Sequence, residues 1–277
     1  MELTLGYSPC PNDTFIFYAL THGKLDGGGL GFREALRDVE TLNQMALRAE
    51  LDVTKVSYAA FGGLRETYCL LRSGGALGRG CGPLVVTRGE ADMRALRGKR
   101  IAIPGRLTTA FLLLRLYDPA LGENVVEMPF DRIMGAVGRG EAEAGLIIHE
   151  SRFTYPRFGL AEAVDLGAWW EEATGRPIPL GSIIARRALG AEVIGKVDAL
   201  VRESVLYARG HRAETSAYIK EHAQEMEDEV VAKHIDLYVN DYTVDMGSDG
   251  EAAVKELYRL AEERGIMPPS RFPLFME

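Results

Sequence analysis

A histidine set directly after an apolar run is the residue of this chain best placed to move a proton. His149 follows "GLII", which reads as a buried strand, so its imidazole stands where that strand emerges into open space. An imidazole titrates near pH ~6.5 when unperturbed and suits a general base at neutral pH. The plainer alternative is a strand-end histidine bonded to a backbone carbonyl. Lys55 and Ser57 alternate along "DVTKVSYAA", flanking Val56, so both side chains face one side of a strand at its end. A lysine and a serine there favour a polar ligand, although an ordinary exposed strand edge has the same pattern. Thr108, Thr109 and Ala110 open the helix pattern "TTAFLLLRLY". Free N–H groups at a helix start attract a carboxylate or phosphate, while simple capping is the commoner use of threonine. The first turn, "SPCPNDTF", adds Ser8, Asn12 and Asp13: its prolines stiffen the backbone, and Asn12 or Asp13 can cap the helix that follows.

Weaker candidates surround these. Asn43 interrupts the apolar side of its helix and could reach a cleft. Cys10 lies at a helix start, where a thiolate is favoured, but a small packed residue in a tight turn is the better reading. Glu150 adjoins His149 and could assist it. Among the other histidines, His22 ends a helix, and His211, His222 and His234 lie in or beside polar helical stretches and are expected to be solvated. "LRSGGALGRGCGPL" lacks the GKS/T ending of a Walker loop and reads as a surface loop, with Arg72 and Arg79 as the charges it could bring near a ligand. Trp169 and Trp170 are expected to cover a sheet edge rather than stack on a ligand.

These groups need elements to position them. Strand and helix patterns alternate through the first two-thirds: "ELTLGYS", "DTFIFYALTHG", "LGFREAL", "DVETLNQMALRAE" and "DVTKVSYAA" form a β-α-β-α-β run. "KRIAIPGR", "TTAFLLLRLY", "NVVEMP", "DRIMGAVGRG" and "EAGLIIHE" repeat it. "GPLVVTRG" and "GSIIARRALG" resemble each other and flank the second run, as crossings between two lobes would. From Ala191 onward the periodicity is helical, in "AEVIGKVDALVRESVLYARG", "RAETSAYIKEHAQ", "DEVVAKHIDLYVN" and "GEAAVKELYRLAEERG". The expected architecture is α/β and two-lobed: residues 1–86 and 187–277 form a larger discontinuous lobe, and 87–186 an inserted smaller one. Ligands of open α/β sheets bind beyond the carboxyl ends of the strands. That rule brings Ser8–Asp13, Lys55–Ser57, Gly105–Ala110 and His149–Glu150 to one cleft.

Composition narrows the partners. The chain has 277 residues and a net charge of −8, which disfavours nonspecific nucleic-acid binding. No segment is apolar and long enough to span a bilayer, and Glu2, Pro9, Pro11 and Asp13 spoil a signal-peptide pattern. Three cysteines without a CxxC pair argue against a disulfide framework and a structural zinc site. The expectation is a cytoplasmic protein acting on a small molecule, with no metal and no membrane partner; oligomeric state is not legible.

"SPCPNDTFIFYALTHG", "DVETLN", "TKVSYAA", "SGGALGRGCGPLVV", "GLIIHESRFTYPRFGL" and "DLGAWWEE", in that order, resemble the 1,4-dihydroxy-6-naphthoate synthase family of the futalosine route to menaquinone. The resemblance runs from about Leu5 to Arg187 and continues more loosely beyond. It implies a fold similar to type II periplasmic-binding-protein lobes, used inside the cell. It further implies conversion of cyclic dehypoxanthine futalosine, an anionic substrate, to 1,4-dihydroxy-6-naphthoate, with release of a three-carbon sugar fragment and no cofactor. The family's base maps onto His149, and its ligand contacts map onto Lys55, Val56, Ser57, Thr108, Thr109 and Ala110. Two alternatives stay open on the residues alone. One is a non-catalytic binding protein for a small organic anion; the other is the chorismate dehydratase of the same pathway, which shares the fold.

Overall fold

The computed structural model describes residues 1–223 and 227–276. The first passage of chain runs β1 (Glu2–Tyr7), α1 (Pro11–Thr21), β2 (Gly31–Leu36), α2 (Val39–Leu47), β3 (Val53–Ser57), α3 (Tyr58–Gly62), β4 (Tyr68–Leu70) and β5 (Ala76–Gly78). The second runs β6 (Leu84–Thr87), β7 (Ile101–Ile103), α4 (Thr109–Tyr117), β8 (Val125–Glu127), α5 (Phe130–Gly138), β9 (Ala144–Ile147), α6 (Ser151–Thr154), β10 (Ala161–Asp165) and α7 (Leu166–Thr174). The chain then returns through β11 (Ile178–Arg186) to α8 (Ala191–Gly210), α9 (Arg212–His222), α10 (Asp228–Tyr238), α11 (Asp241–Val244) and α12 (Gly247–Glu263). Gln224, the last residue of the expected "RAETSAYIKEHAQ" helix, lies outside the described residues.

Two mixed sheets result. The first has the order β2-β1-β3-β11-β4, with β5 also paired to β11; the second has the order β10-β6-β9-β7-β8. In the first, β1 runs parallel to β2 and β3, and β11 is antiparallel to β3. In the second, β7 runs parallel to β8 and β9, and β6 is antiparallel to β9. The two β-α-β-α-β runs read from the sequence therefore build matching halves, each closed by one antiparallel strand. Strands of the first sheet come from residues 2–78 and 178–186, and those of the second from 84–165. The lobe limits of 1–86, 87–186 and 187–277 stand as a proposal about folding units; by sheet membership β6 belongs with the inserted part and β11 with the larger one.

Local chemistry explains the boundaries. Asp38 caps α2, its carboxylate accepting from the N–H groups of Glu40 and Thr41. Asp165 caps α7 in the same way, and Gly175, left-handed at φ 68°, ends it. One apolar cluster holds β1, α1, α8, α9 and α10 together, while another runs from α3 and β4 through α4 and β7 to α12, joining both sheets.

The strand in "DVTKVSYAA" ends at Ser57, the expected strand end, and only the remaining "YAA" departs from the strand pattern, because Tyr58 begins a short helix. One reading of the sequence is corrected here. The glycine-rich "SGGALG" is not a surface loop. Ser73–Gly78 is buried, contains β5, and pairs with β11. Glycine there serves close packing, since a Cβ on Gly74 would lie 2.7 Å from Ile183.

Candidate active site

The carboxyl ends of β1, β3 and β9 and the start of α4 meet in one pocket. A crevice at the carboxyl ends of strands is where open α/β sheets hold small ligands. Ser8, Asn12, Asp13, Lys55, Ser57, Thr108, Thr109, Ala110 and His149 all line it. Of the expected site residues, Val56 and Asn43 do not. Val56 is buried in the core behind the strand, as alternation requires. Asn43 sits behind Ser57, accepting from its N–H at 2.9 Å and donating to its hydroxyl at 3.2 Å. It holds the β3 end rather than reaching into the cleft.

The first turn resolves into a charged knot. Lys55 Nζ lies 2.7 Å from Asp13 Oδ1, and both side chains are almost wholly buried. Asp13 Oδ2 accepts from the N–H and hydroxyl of Ser8, at 3.1 and 2.7 Å, and Oδ1 also accepts from Asn12 Nδ2 at 2.8 Å. So Asp13 does not cap α1 as expected. Cys10 occupies the N-cap position without a side-chain bond, and Pro11 takes the first helical place, where its missing N–H costs nothing. Room for the lysine comes from β11: a Cβ on Gly181, the register partner of Ser57, would lie 2.9 Å from Lys55 Cε.

The second lobe offers neutral groups. Thr108 caps α4, its hydroxyl accepting from Phe111 N–H at 3.2 Å and donating to the Gly105 carbonyl at 2.7 Å. The Thr109 hydroxyl reaches the first lobe, donating to the Leu180 carbonyl at 2.7 Å and accepting from Ala59 N–H at 3.2 Å. Both hydroxyls are thus committed to protein. Thr109 and Ala110, the first two residues of α4, line the pocket, and N–H groups at a helix start have no partner within the helix.

His149 follows β9 in a left-handed conformation, φ 56°, which is unusual for a residue with a Cβ and characteristic of functional positions. Its ring lies 4.9 Å from Phe130 and stacks at 6.2 Å on His234. Burial pushes its pKa down to about 4; Asp13 opposes that shift and Lys55 adds to it. The imidazole is therefore neutral at pH 7, with a lone pair to offer.

His234 corrects an expectation. It is not solvated: it is fully buried, lines the pocket, and its Nε2 lies 2.9 Å from Asn12 Oδ1. Its polar sequence neighbours misled, because they cover the outer face of α10. The i, i+3, i+4 spacing of Val231, His234, Ile235 and Tyr238 on the buried face was the available signal. The other histidines lie elsewhere, His22 and His211 at exposed helix ends. Arg72 and Arg79 pair with Glu251 and Glu171, away from the pocket, and Trp170 is buried with its N–H on the Pro177 carbonyl.

Cys10, His149 and Glu150 form the one group of metal-type ligands found among the described residues, their donor atoms within 4.8 Å of one another. The set is chemically able to hold a soft divalent ion. Burial and the Glu150 charge raise the Cys10 pKa well above its usual value, so the thiol stays protonated at neutral pH and is neither a standing thiolate ligand nor a nucleophile.

Two mixed sheets of matching topology, with a cleft at their facing strand ends, define a two-lobed periplasmic-binding-protein-like fold. The periplasmic aliphatic sulphonate-binding protein of Escherichia coli shares it, at TM-score 0.65 and 13% identity over 97% of this chain and 89% of that one. A solved protein of Archaeoglobus fulgidus is far nearer, at TM-score 0.91 and 41% identity over 96% and 98%. Within that class, a family model described as menaquinone biosynthesis matches residues 3–263, and the chain belongs to the 1,4-dihydroxy-6-naphthoate synthase family. Two relatives named "1,4-dihydroxy-6-naphtoate synthase" align with it. That of Thermus thermophilus is 56% identical over 99% of both chains, and that of Streptomyces coelicolor 49% identical over 96% of this chain and 95% of its own.

Proposed function

We propose that this chain is a carbon–carbon lyase converting cyclic dehypoxanthine futalosine to 1,4-dihydroxy-6-naphthoate, with release of a three-carbon sugar fragment and His149 as general base. One observation carries the reading. A neutral imidazole, held in a left-handed backbone conformation after β9, lines the pocket at which strand ends of both sheets and the start of α4 meet. The relatives' names support the product.

The N–H groups of Thr109 and Ala110 receive the substrate carboxylate, where the helix start favours negative charge. A bound anion favours the imidazolium and raises the His149 pKa from about 4 toward neutrality, which brings the base nearer its working optimum. His149 takes a proton from the substrate, and the electron pair left behind becomes a π bond of the ring as it turns aromatic. The carbon–carbon bond to the sugar remnant breaks with its pair leaving on the three-carbon fragment, to which the His149 imidazolium returns the proton. A biosynthetic role of this kind fits a cytoplasmic location; no helix among the described residues is long and apolar enough to cross a membrane.

The test is product formation from cyclic dehypoxanthine futalosine by wild type and His149→Ala. Wild type releases the naphthoate chromophore, and the variant is slower by at least ~10²-fold, the lower end for losing a general base. Near-normal turnover in the variant overturns the assignment of His149. A wild type that binds small organic anions without turnover is a binding protein, and one that consumes chorismate instead is the dehydratase.

A further inference from the structure

His234 has no part in the scheme above, yet it stacks on His149 and closes the pocket from α10. A chain of hydrogen bonds dictates which of its nitrogens holds the proton. Asp13 Oδ1 accepts from Lys55 Nζ at 2.7 Å and from Asn12 Nδ2 at 2.8 Å. A carboxylate paired with lysine only accepts, so the Asn12 amide turns its NH₂ toward Asp13 and its oxygen toward His234. That oxygen, 2.9 Å from Nε2, needs a donor, which places the proton on Nε2. Burial, reinforced by His149 and Lys55, holds the ring well below its usual pKa, so it stays neutral. Its other nitrogen, Nδ1, then presents a lone pair. Nδ1 has no hydrogen-bond partner among the described residues, and Glu150 Oε2, at 3.9 Å, is beyond reach.

We infer that His234 is a substrate-recognition residue whose Nδ1 accepts a hydrogen bond from a ligand hydroxyl, with the Lys55–Asp13–Asn12 chain holding that tautomer. The inference rests on the functional reading given above. It gives the pocket a direction: N–H donors at the start of α4 take the carboxylate, and an acceptor at His234 takes a hydroxyl of the sugar-derived part.

Two substitutions separate the nitrogens. His234→Gln keeps an N–H for Asn12 and loses the acceptor at Nδ1; His234→Asn sets an oxygen near the Nδ1 position and loses the donor to Asn12. With cyclic dehypoxanthine futalosine, the Gln variant is expected to show a KM about tenfold higher, the worth of one hydrogen bond, and the Asn variant one within about threefold of wild type. In both, kcat moves less than KM. In long-range ¹H–¹⁵N spectra of His149→Ala, the His234 Nδ1 resonance moves upfield when substrate is added. Equal KM losses in both variants, in step with equal falls in melting temperature, reduce His234 to a structural residue and overturn the inference. Wild-type turnover with an unmoved Nδ1 resonance overturns it alone. Absence of wild-type turnover overturns the functional reading, and this inference with it.

Discussion

The two lobes share a plan and differ in what they bring to the cleft. In the first, the β1–α1 turn and the end of β3 supply Ser8, Asn12, Asp13, Lys55 and Ser57, and these satisfy one another: the aspartate pairs with the lysine, and Asn43 grips the serine from behind. In the second, the matching places are the β7–α4 turn and the end of β9. They supply helix N–H groups and His149, whose ring makes contacts with Phe130 and His234. These five side chains and Asn43 form hydrogen-bonded groups that need no ligand, and Nδ1 of His234, on α10, is an open group on that side. The opposite wall keeps groups for a ligand to complete. A cleft that orients a substrate and then reacts with it needs both kinds, because rigidity fixes geometry while the reacting group must stay available.

The sharpest way to break this contrast is to remove one residue from each wall. His149→Ala should lower kcat by about 10²–10⁴-fold, the range for losing a general base, while circular dichroism and melting temperature stay near wild type. Asp13→Ala should do the reverse. It leaves Lys55 buried without its counter-charge, and losing one member of a buried pair costs about 3–5 kcal/mol. Urea unfolding measures that loss, and a Lys55→Met, Asp13→Leu double variant should recover part of it. A stable Asp13→Ala protein would mean that the first wall is not pre-organised by this pair.

Acid tests the same contrast through the buried histidines. His149 titrates near 4 in the folded chain and near ~6.5 in the unfolded one, so between those values protons bind mainly to the unfolded state. Stability from this group is fully present above about pH 6.5, falls as pH drops toward 4, and then levels off. The full swing is about 3 kcal/mol as an upper figure. His234, lowered as well, adds to the same slope. Melting temperatures from pH 7 to 4.5 should fall for wild type and less steeply for His149→Ala; parallel curves would show that the His149 ring is not desolvated.

Much of this cleft was legible in the sequence. The alternation of strand and helix patterns, with the strand-end rule, selected Ser8, Asn12, Lys55, Ser57, Thr108, Thr109, Ala110 and His149, all of which the fold brings to one pocket. What stayed hidden depended on long-range contact. Asn43 shares a helix face with apolar residues, and only the approach of Ser57, 14 positions on, shows it to be a clamp. His234 lies 222 positions from Asn12, and local polarity pointed it outward. "SGGALG" carried turn chemistry whose real use is close packing under β11. Sequence periodicity reports the face of an element well; it does not report which distant element will cover that face.

The smallest expected effect separates two adjacent threonines. The Thr108 hydroxyl is spent inside its own lobe, on Phe111 N–H and the Gly105 carbonyl. The Thr109 hydroxyl crosses to the other lobe, joining the Ala59 N–H and the Leu180 carbonyl. Replacing either with valine keeps the shape and removes the hydroxyl, at a cost of about 1–2 kcal/mol. Hydrogen exchange should locate the losses differently. Thr108→Val should speed exchange at Phe111 by about tenfold and leave Ala59 unchanged. Thr109→Val should speed exchange at Ala59 and, on the proposed function, raise KM more than it lowers kcat, because the cleft wall assigned there to the carboxylate loses its tie to the first lobe. If both variants perturb Phe111 alone, then Thr109 is no tie between the lobes, and their contact rests on the apolar cluster shared by α3, α4 and α12.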